Sequence, residues 1–414
     1  LEMLNSREKI SFIVSQEART TFEETIIPFW QHRTMRERIF TEMSEEWMAA
    51  YEAGIFTEFM EQRAPGHTVL DGKIYQKGFR DFIKDIDQKL EDLDYLNDPQ
   101  SYHQQEQLRA MRICAEAMIQ YAGRYATLAK DMSGSETDEK RKLELERIAA
   151  VCMRVPEYAP RDLWEALQYY WFVHLGVTKE LNTWDAFSPG RFDQHLNPYY
   201  ERGIREGSLT HQQAEELLQC LWVKFNNQPA PPKVGVTAAE SGTYTDFVQI
   251  NLGGLREDGS DGVNEMSYLI LDVVEEMRLL QPSASIQVSK KNPDRFIRRA
   301  AKIIRTGFGQ PSIFNADAVI QEMVSQGKSL IDARNGGTSG CVETGAFGKE
   351  AYILTGYLNL PKILDITLNN GHDGQSGKKL GLETGNPELF SSYDELFAAF
   401  SQQLAHFVDM KVRG

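Results

Sequence analysis

The chain has 414 residues, 41% apolar and 25% charged, with a formal net charge of −15 and a pI near 5.1. That length can bury a sizeable core, as one large domain or several smaller ones. The acidic balance argues against nucleic acid or an anionic membrane as partner, no apolar run reaches membrane-span length, and Leu1-Glu2-Met3-Leu4 has no signal-peptide pattern.

Residues 1–180 read as a mainly helical region. Met35–Tyr51 and Phe79–Leu96 carry apolar residues at three- and four-residue intervals with charges between them. Leu108–Ala126 continues the pattern and puts Met111, Cys114, Ala115, Met118 and Tyr121 on one stripe, which places Cys114 in the core. Glu136–Lys142 reads as a solvated helix start. Ile55–Leu70 is irregular, interrupted by Pro65-Gly66-His67, and His67 reads there as a loop histidine. Pro160–Leu175 is an aromatic-rich core helix with Leu163, Leu167, Tyr170, Trp171 and Val173. Cys114, Cys152, Cys220 and Cys341 are widely spaced without a CxxC, so neither a zinc site nor a disulfide framework is indicated, and a reducing cytoplasm fits.

From 181 the pattern changes. Pro189 and Gly190 end any regular element and present Asp185 and Arg191 from a turn. Asp185 lies among Trp184, Ala186 and Phe187; such company raises a carboxyl pKa, as a proton donor requires, and a turn-capping role is the alternative. Leu209–Phe225 is an amphipathic helix with Thr210 as N-cap. Phe247–Leu252 reads as a buried strand ended by Gly253-Gly254. A helix over 264–280, a strand over Ser283–Val288, a helix over Pro293–Thr306, a strand end at Ser312–Asn315 and a helix over Ala316–Ser325 follow. This alternation predicts an α/β fold with parallel strands and functional residues in loops at the strand ends.

Asn335–Gly345 holds four glycines and a lone cysteine. Such a segment suits neither helix nor strand and predicts a tight loop. In it, Glu343 follows Cys341 by two residues, so an extended backbone turns both to one side. The loop is therefore either an ordinary turn with an inert cysteine or a thiol with an acid/base group beside it. Lys349–Leu354 and Leu358–Leu368 read as buried, and Asp373–Asn386 as a surface excursion. The latter lacks the alternating acids of an EF-hand and the spacing of a P-loop.

Five segments stand in a characteristic order: Phe187–Gln194, Gly309-Gln310-Pro311-Ser312-Ile313-Phe314-Asn315, Gly340-Cys341-Val342-Glu343, Leu354-Thr355-Gly356-Tyr357 and Leu368-Asn369-Asn370-Gly371. With them, nearly the whole chain resembles the glycyl radical enzymes, in the branch of dehydratases and C–N or C–S lyases. The resemblance implies part of a ten-stranded α/β barrel, its first half over 181–414, behind a large helical N-terminal region. It also implies that Val412-Arg413-Gly414 is not the family's C-terminal radical motif, so that the radical glycine is expected outside this chain.

The implied chemistry is elimination of water from hydroxyproline. Cys341 would carry the thiyl and Glu343 would act as acid/base, with Asp185 and His67 as candidates for protonating the leaving hydroxyl or for orienting the ring nitrogen. Ser241 and Asp246 would bind the carboxylate and amine end, and Phe59 and Tyr357 would shape the pocket. No bound cofactor or metal is implied beyond the glycyl radical. A radical S-adenosylmethionine activase with an iron–sulfur cluster is the implied partner, and a homodimer the implied assembly. Asp185-Ala186 stands where diol dehydratases carry His-Ser, and Val342 stands where pyruvate formate-lyase has a second cysteine. Three alternatives remain: an eliminase for a diol, glycerol or choline; a non-radical cysteine enzyme, which would need a histidine such as His174 to activate Cys341; and a non-catalytic structural relative, against which the intact Cys341 and Glu343 count.

Overall fold

In a computed structural model, residues 13–56, 70–180, 188–227, 248–339, 342–350 and 356–413 are described. By packing, the chain forms two compact units, one of segments 1–63, 229–244 and 353–414, the other of 64–228 and 245–352. The second unit runs continuously through residue 180.

The expected helix over Met35–Tyr51 is two helices, Met35–Phe40 and Glu45–Glu52 (α1), separated where Ser44 turns and accepts from the Trp47 amide at 3.1 Å. A serine cap outweighs the continuing apolar period there. In the second unit, α2 (Phe79–Glu91) stops short of the expected Leu96, because Asp94 accepts from the Leu96 and Asn97 amides in a turn of its own. The next helix, α3, runs from Ser101 to Ser135, and α4 covers Glu139–Arg154 behind the Asp138 cap. The buried face of α3 is a seam of small residues, Ala115, Ala122, Ala126 and Ala129. Small side chains let neighbouring helices approach closely, so the larger residues move to the flanks. Cys114 is accordingly exposed and not core, and Met111 is 57% exposed. Both line an apolar groove with Phe79, Phe82, Ile86 and Val173.

α5 (Leu163–Glu180) buries Leu163, Leu167, Tyr170, Trp171 and Val173 as expected. α6 (Phe192–Glu206) and α7 (His211–Asn226) follow, and Thr210 and Gln213 close a reciprocal capping box on α7.

The strands then alternate with helices: β1 (Gln249–Gly253), α8 (Glu265–Met277), β2 (Ser283–Val288), α9 (Asp294–Ile304), β3 (Ser312–Asn315) and α10 (Ala316–Ser325). The sheet is parallel in the order β1-β2-β3, with Asn251 opposite Ser285 and Ile286 opposite Ile313. Residue 191 adds a parallel bridge on the other side of β1. One sheet face presents Ile250, Leu252, Ala284 and Ile286 to the core shared with α5 to α9. The other presents Gln249, Asn251, Ser285 and Gln287, all buried. Beyond α11 (Leu330–Arg334), β4 (Gly337–Ser339) and β5 (Glu343–Gly345) pair antiparallel. The glycine-rich segment therefore does form strands, contrary to expectation.

The first unit is built on α12 (Leu360–Leu368) and α13 (Tyr393–Arg413), which pack with α1 around Trp47, Tyr51, Phe56, Ile363, Ile366 and Phe407. The expected burial of 358–368 holds for one face only, since Leu360, Leu364 and Leu368 are exposed. The excursion at 373–386 is likewise anchored: Asp373 is 3% exposed, pairs with Lys362, and accepts from the Gln375 and Ser376 amides. The Lys362 bond, then the Ser376 hydroxyl, hold its carboxyl well below the usual range. A depressed carboxyl stabilises the fold above its unfolded pKa of about 3.9, and the benefit is lost as pH falls through the folded value. Asp373→Asn is expected to lower the urea midpoint at pH 6, with the gap to wild type closing as pH drops below ~4. An equal gap at pH 6 and pH 3 would remove the ion pair from this account.

Candidate active site

The polar face of the sheet positions the hairpin. Asn251 on β1 uses its side-chain amide as a peptide group would. Its Nδ2 donates to the Thr338 carbonyl at 2.7 Å, and its Oδ1 accepts from the Thr338 amide at 3.0 Å. Gln287 Nε2 and the Thr338 hydroxyl also donate to Oδ1, at 2.9 and 3.2 Å. β4 is thus held to β1 through a side chain, which offsets the poor strand propensity of its glycine. Gly337 is required at that contact, since a Cβ there would lie 2.6 Å from Asn251 Oδ1.

Arg191 fixes the approach to the same hairpin. It is 3% exposed, and its Nη1 donates to the Arg334 and Gly336 carbonyls at 2.8 and 3.1 Å. Its Nη2 donates to the Gly253 and Leu255 carbonyls. One guanidinium thus joins the start of α6, the end of β1 and the entry to β4. Gly254, at φ +69°, lets the chain pass, because a Cβ would meet Arg191 Nη2 at 2.6 Å. Burial works against the Arg191 charge, and Asp193 and Asp71 offset it. Asp193 is itself fully buried and accepts from the Gly253 amide at 2.8 Å and from the Ser267 hydroxyl. Burial raises its carboxyl pKa against those bonds.

A histidine–carboxylate pair also lies in this unit. His195 Nε2 and Asp71 Oδ1 are 2.7 Å apart, with Tyr75 stacked on the imidazole at 5.2 Å. Burial pushes the Asp71 carboxyl up, but the His195 charge and hydrogen bond outweigh it, and its pKa ends below the ordinary value.

Glu343 opens β5 half-buried, and its Oε2 accepts from the Val342 amide at 3.1 Å. Tyr357 is 51% exposed and belongs to the other compact unit. Cys341, Asp185, His67, Phe59, Ser241 and Asp246 lie outside the described residues. His174 is buried among Tyr170, Trp171 and Phe225. Among the described residues no three His, Cys, Asp or Glu side chains gather as a metal site, and no helix is long and apolar enough to cross a membrane.

Sequence reasoning missed Asn251, Gln287 and Ser285 as anchors. The signal was present as polar residues at every second position of strands otherwise apolar and buried.

The pyruvate formate lyase-like family model matches residues 1–414. The chain belongs to this family. Within the pyruvate formate lyase-like family it is 57% identical to trans-4-hydroxy-L-proline dehydratase of Clostridioides difficile, over 100% of this chain and 52% of that protein. The crystal structure of hydroxyproline dehydratase from the same organism, with trans-4-hydroxy-L-proline bound, superposes with a TM-score of 0.89, again over 100% of this chain and 52% of that one. The glycerol-bound B12-independent glycerol dehydratase of Clostridium butyricum has a TM-score of 0.84 at 32% identity, covering 99% and 52%. The chain spans about half the length of the relatives it matches. Its fold is part of the α/β barrel of the glycyl radical enzyme type, as expected.

Proposed function

We propose that this chain is the cysteine-bearing part of a glycyl radical dehydratase that removes water from trans-4-hydroxy-L-proline. The observation that carries the reading is 57% identity along all 414 residues to a relative with that activity, where a glycerol-binding relative reaches 32%. Hydroxide is a poor leaving group at an unactivated carbon, and an unpaired electron on the adjacent carbon weakens the C–O bond. A glycyl radical, installed by a radical S-adenosylmethionine activase, would supply that unpaired electron through Cys341. The chain's own residues then divide the work. The Cys341 thiol exchanges hydrogen with C5 of the ring. Glu343 faces the C4 hydroxyl as acid/base, and Asp185 or His67 delivers the proton with which hydroxide leaves as water. Ser241 and Asp246 hold the carboxylate and amine, and Phe59 and Tyr357 bound the ring. The products are 1-pyrroline-5-carboxylate and one water, which balances the substrate. A cytoplasmic, homodimeric enzyme working without oxygen completes the proposal.

Asp185 separates this substrate from a diol, because the ring amine of hydroxyproline is charged at neutral pH and a diol has no such charge. In the full-length protein carrying these residues, activated under anaerobic conditions, wild type should form 1-pyrroline-5-carboxylate from trans-4-hydroxy-L-proline. Asp185→Asn should keep the glycyl radical signal and lose about 2–4 kcal/mol of transition-state stabilisation. Near-normal turnover by Asp185→Asn would make Asp185 a turn residue, and turnover of glycerol but not hydroxyproline by wild type would sink the proposed substrate.

A further inference from the structure

Ser339 is the last residue of β4 and is 1% exposed. Its hydroxyl has no hydrogen-bond partner among the described residues. A buried hydroxyl without a partner destabilises a fold, and one that persists calls for an explanation such as a functional role or a bound water. The hairpin register identifies a partner. Ser339 is directly opposite Glu343, and directly opposed residues of an antiparallel pair point to the same face with Cβ atoms about 5 Å apart. A serine hydroxyl and a glutamate carboxylate meet readily across that distance.

In the present state the Glu343 carboxylate is turned away, with Oε2 on the Val342 amide. Val342 is 70% exposed, so water can take over that amide when the carboxylate leaves it. A Glu343 carboxylate released from that amide has the Ser339 hydroxyl as its cross-strand neighbour.

We propose that Ser339 is a positioning residue whose hydroxyl donates to the Glu343 carboxylate in the substrate-loaded site and fixes it against the substrate. The inference rests on the proposed role of Glu343. The hydroxyl stays unpaired in the empty site, and substrate binding supplies the state in which it pairs.

The test uses the full-length protein without radical activation, with ligand-free melting curves and calorimetric titration of trans-4-hydroxy-L-proline. Ser339→Ala should leave Tm unchanged or raise it by about 2 °C, because it removes an unpaired buried hydroxyl. The same variant should weaken binding about tenfold, the worth of one hydrogen bond to a charged group. Ser339→Thr, which restores the hydroxyl, should recover most of the affinity. In a Glu343→Ala background, which removes the acceptor, Ser339→Ala should change affinity by less than about twofold, since coupled residues are not additive. A lower Tm with unchanged affinity, or equal losses in both backgrounds, overturns the proposal. If wild type binds no hydroxyproline, the proposed substrate falls, and the same cycle with glycerol decides Ser339 by the same criteria. Binding of neither ligand overturns both.

Discussion

Replacing Arg191 by methionine is expected to destabilise the fold by about 3–5 kcal/mol, read as a shift of the urea unfolding midpoint. The guanidinium donates to carbonyls of Gly253, Leu255, Arg334 and Gly336 inside the core. Methionine fills much of the volume but donates nothing, so buried carbonyls lose a charged donor. Arg191→Lys keeps the charge, yet an ammonium lacks the planar fork that reaches two pairs of carbonyls from opposite edges. It should therefore recover only part of the loss. A midpoint within ~1 kcal/mol of wild type for Arg191→Met would mean that the carbonyls find other donors, and would end its role as the anchor of the hairpin entry.

The second large effect is expected at Cys341. In the activated full-length enzyme, Cys341→Ser is expected to cut dehydration by ~10⁴-fold or more while the glycyl radical persists. A serine O–H bond is far stronger than a thiol S–H bond, so hydrogen exchange with the substrate stops although shape and polarity are kept. Electron paramagnetic resonance separates this outcome from failed activation. Residual turnover within tenfold of wild type would exclude Cys341 as the hydrogen-exchanging group. Loss of the glycyl signal in Cys341→Ser would place the defect in activation, and Cys341→Ala would then separate radical installation from hydrogen exchange at sulfur.

The α/β alternation from 249 to 325 was readable because short apolar runs alternate with longer periodic ones. Ser283–Val288 and Ala316–Ser325 fall where that pattern puts them. The N-terminal helices were less readable. Two turns of apolar period ran through Ser44, and pattern alone does not show that a serine will stop a helix. Cys114 was misplaced because an apolar stripe marks a face without telling which of its members touches a neighbour. The hairpin was hidden most deeply. Its strands depend on the side chain of Asn251, and intrinsic propensity carries no record of a partner so distant in sequence. Of the candidate site, the two-residue spacing of Cys341 and Glu343 was legible in the sequence, whereas the residues that hold β4 were not.

The hairpin's anchors also set an order of assembly. Thr338 is held by a residue 87 positions earlier, and Gly336 by one 145 positions earlier. Closing loops of that length costs chain entropy before any contact compensates it, whereas β1, α8 and β2 are joined by short crossovers. Folding should therefore complete the parallel sheet and its buried polar face first and admit the hairpin late. The strands of the hairpin then find their place only when the surface that receives them already exists, and a misfolded sheet would leave β4 and β5 without a dock.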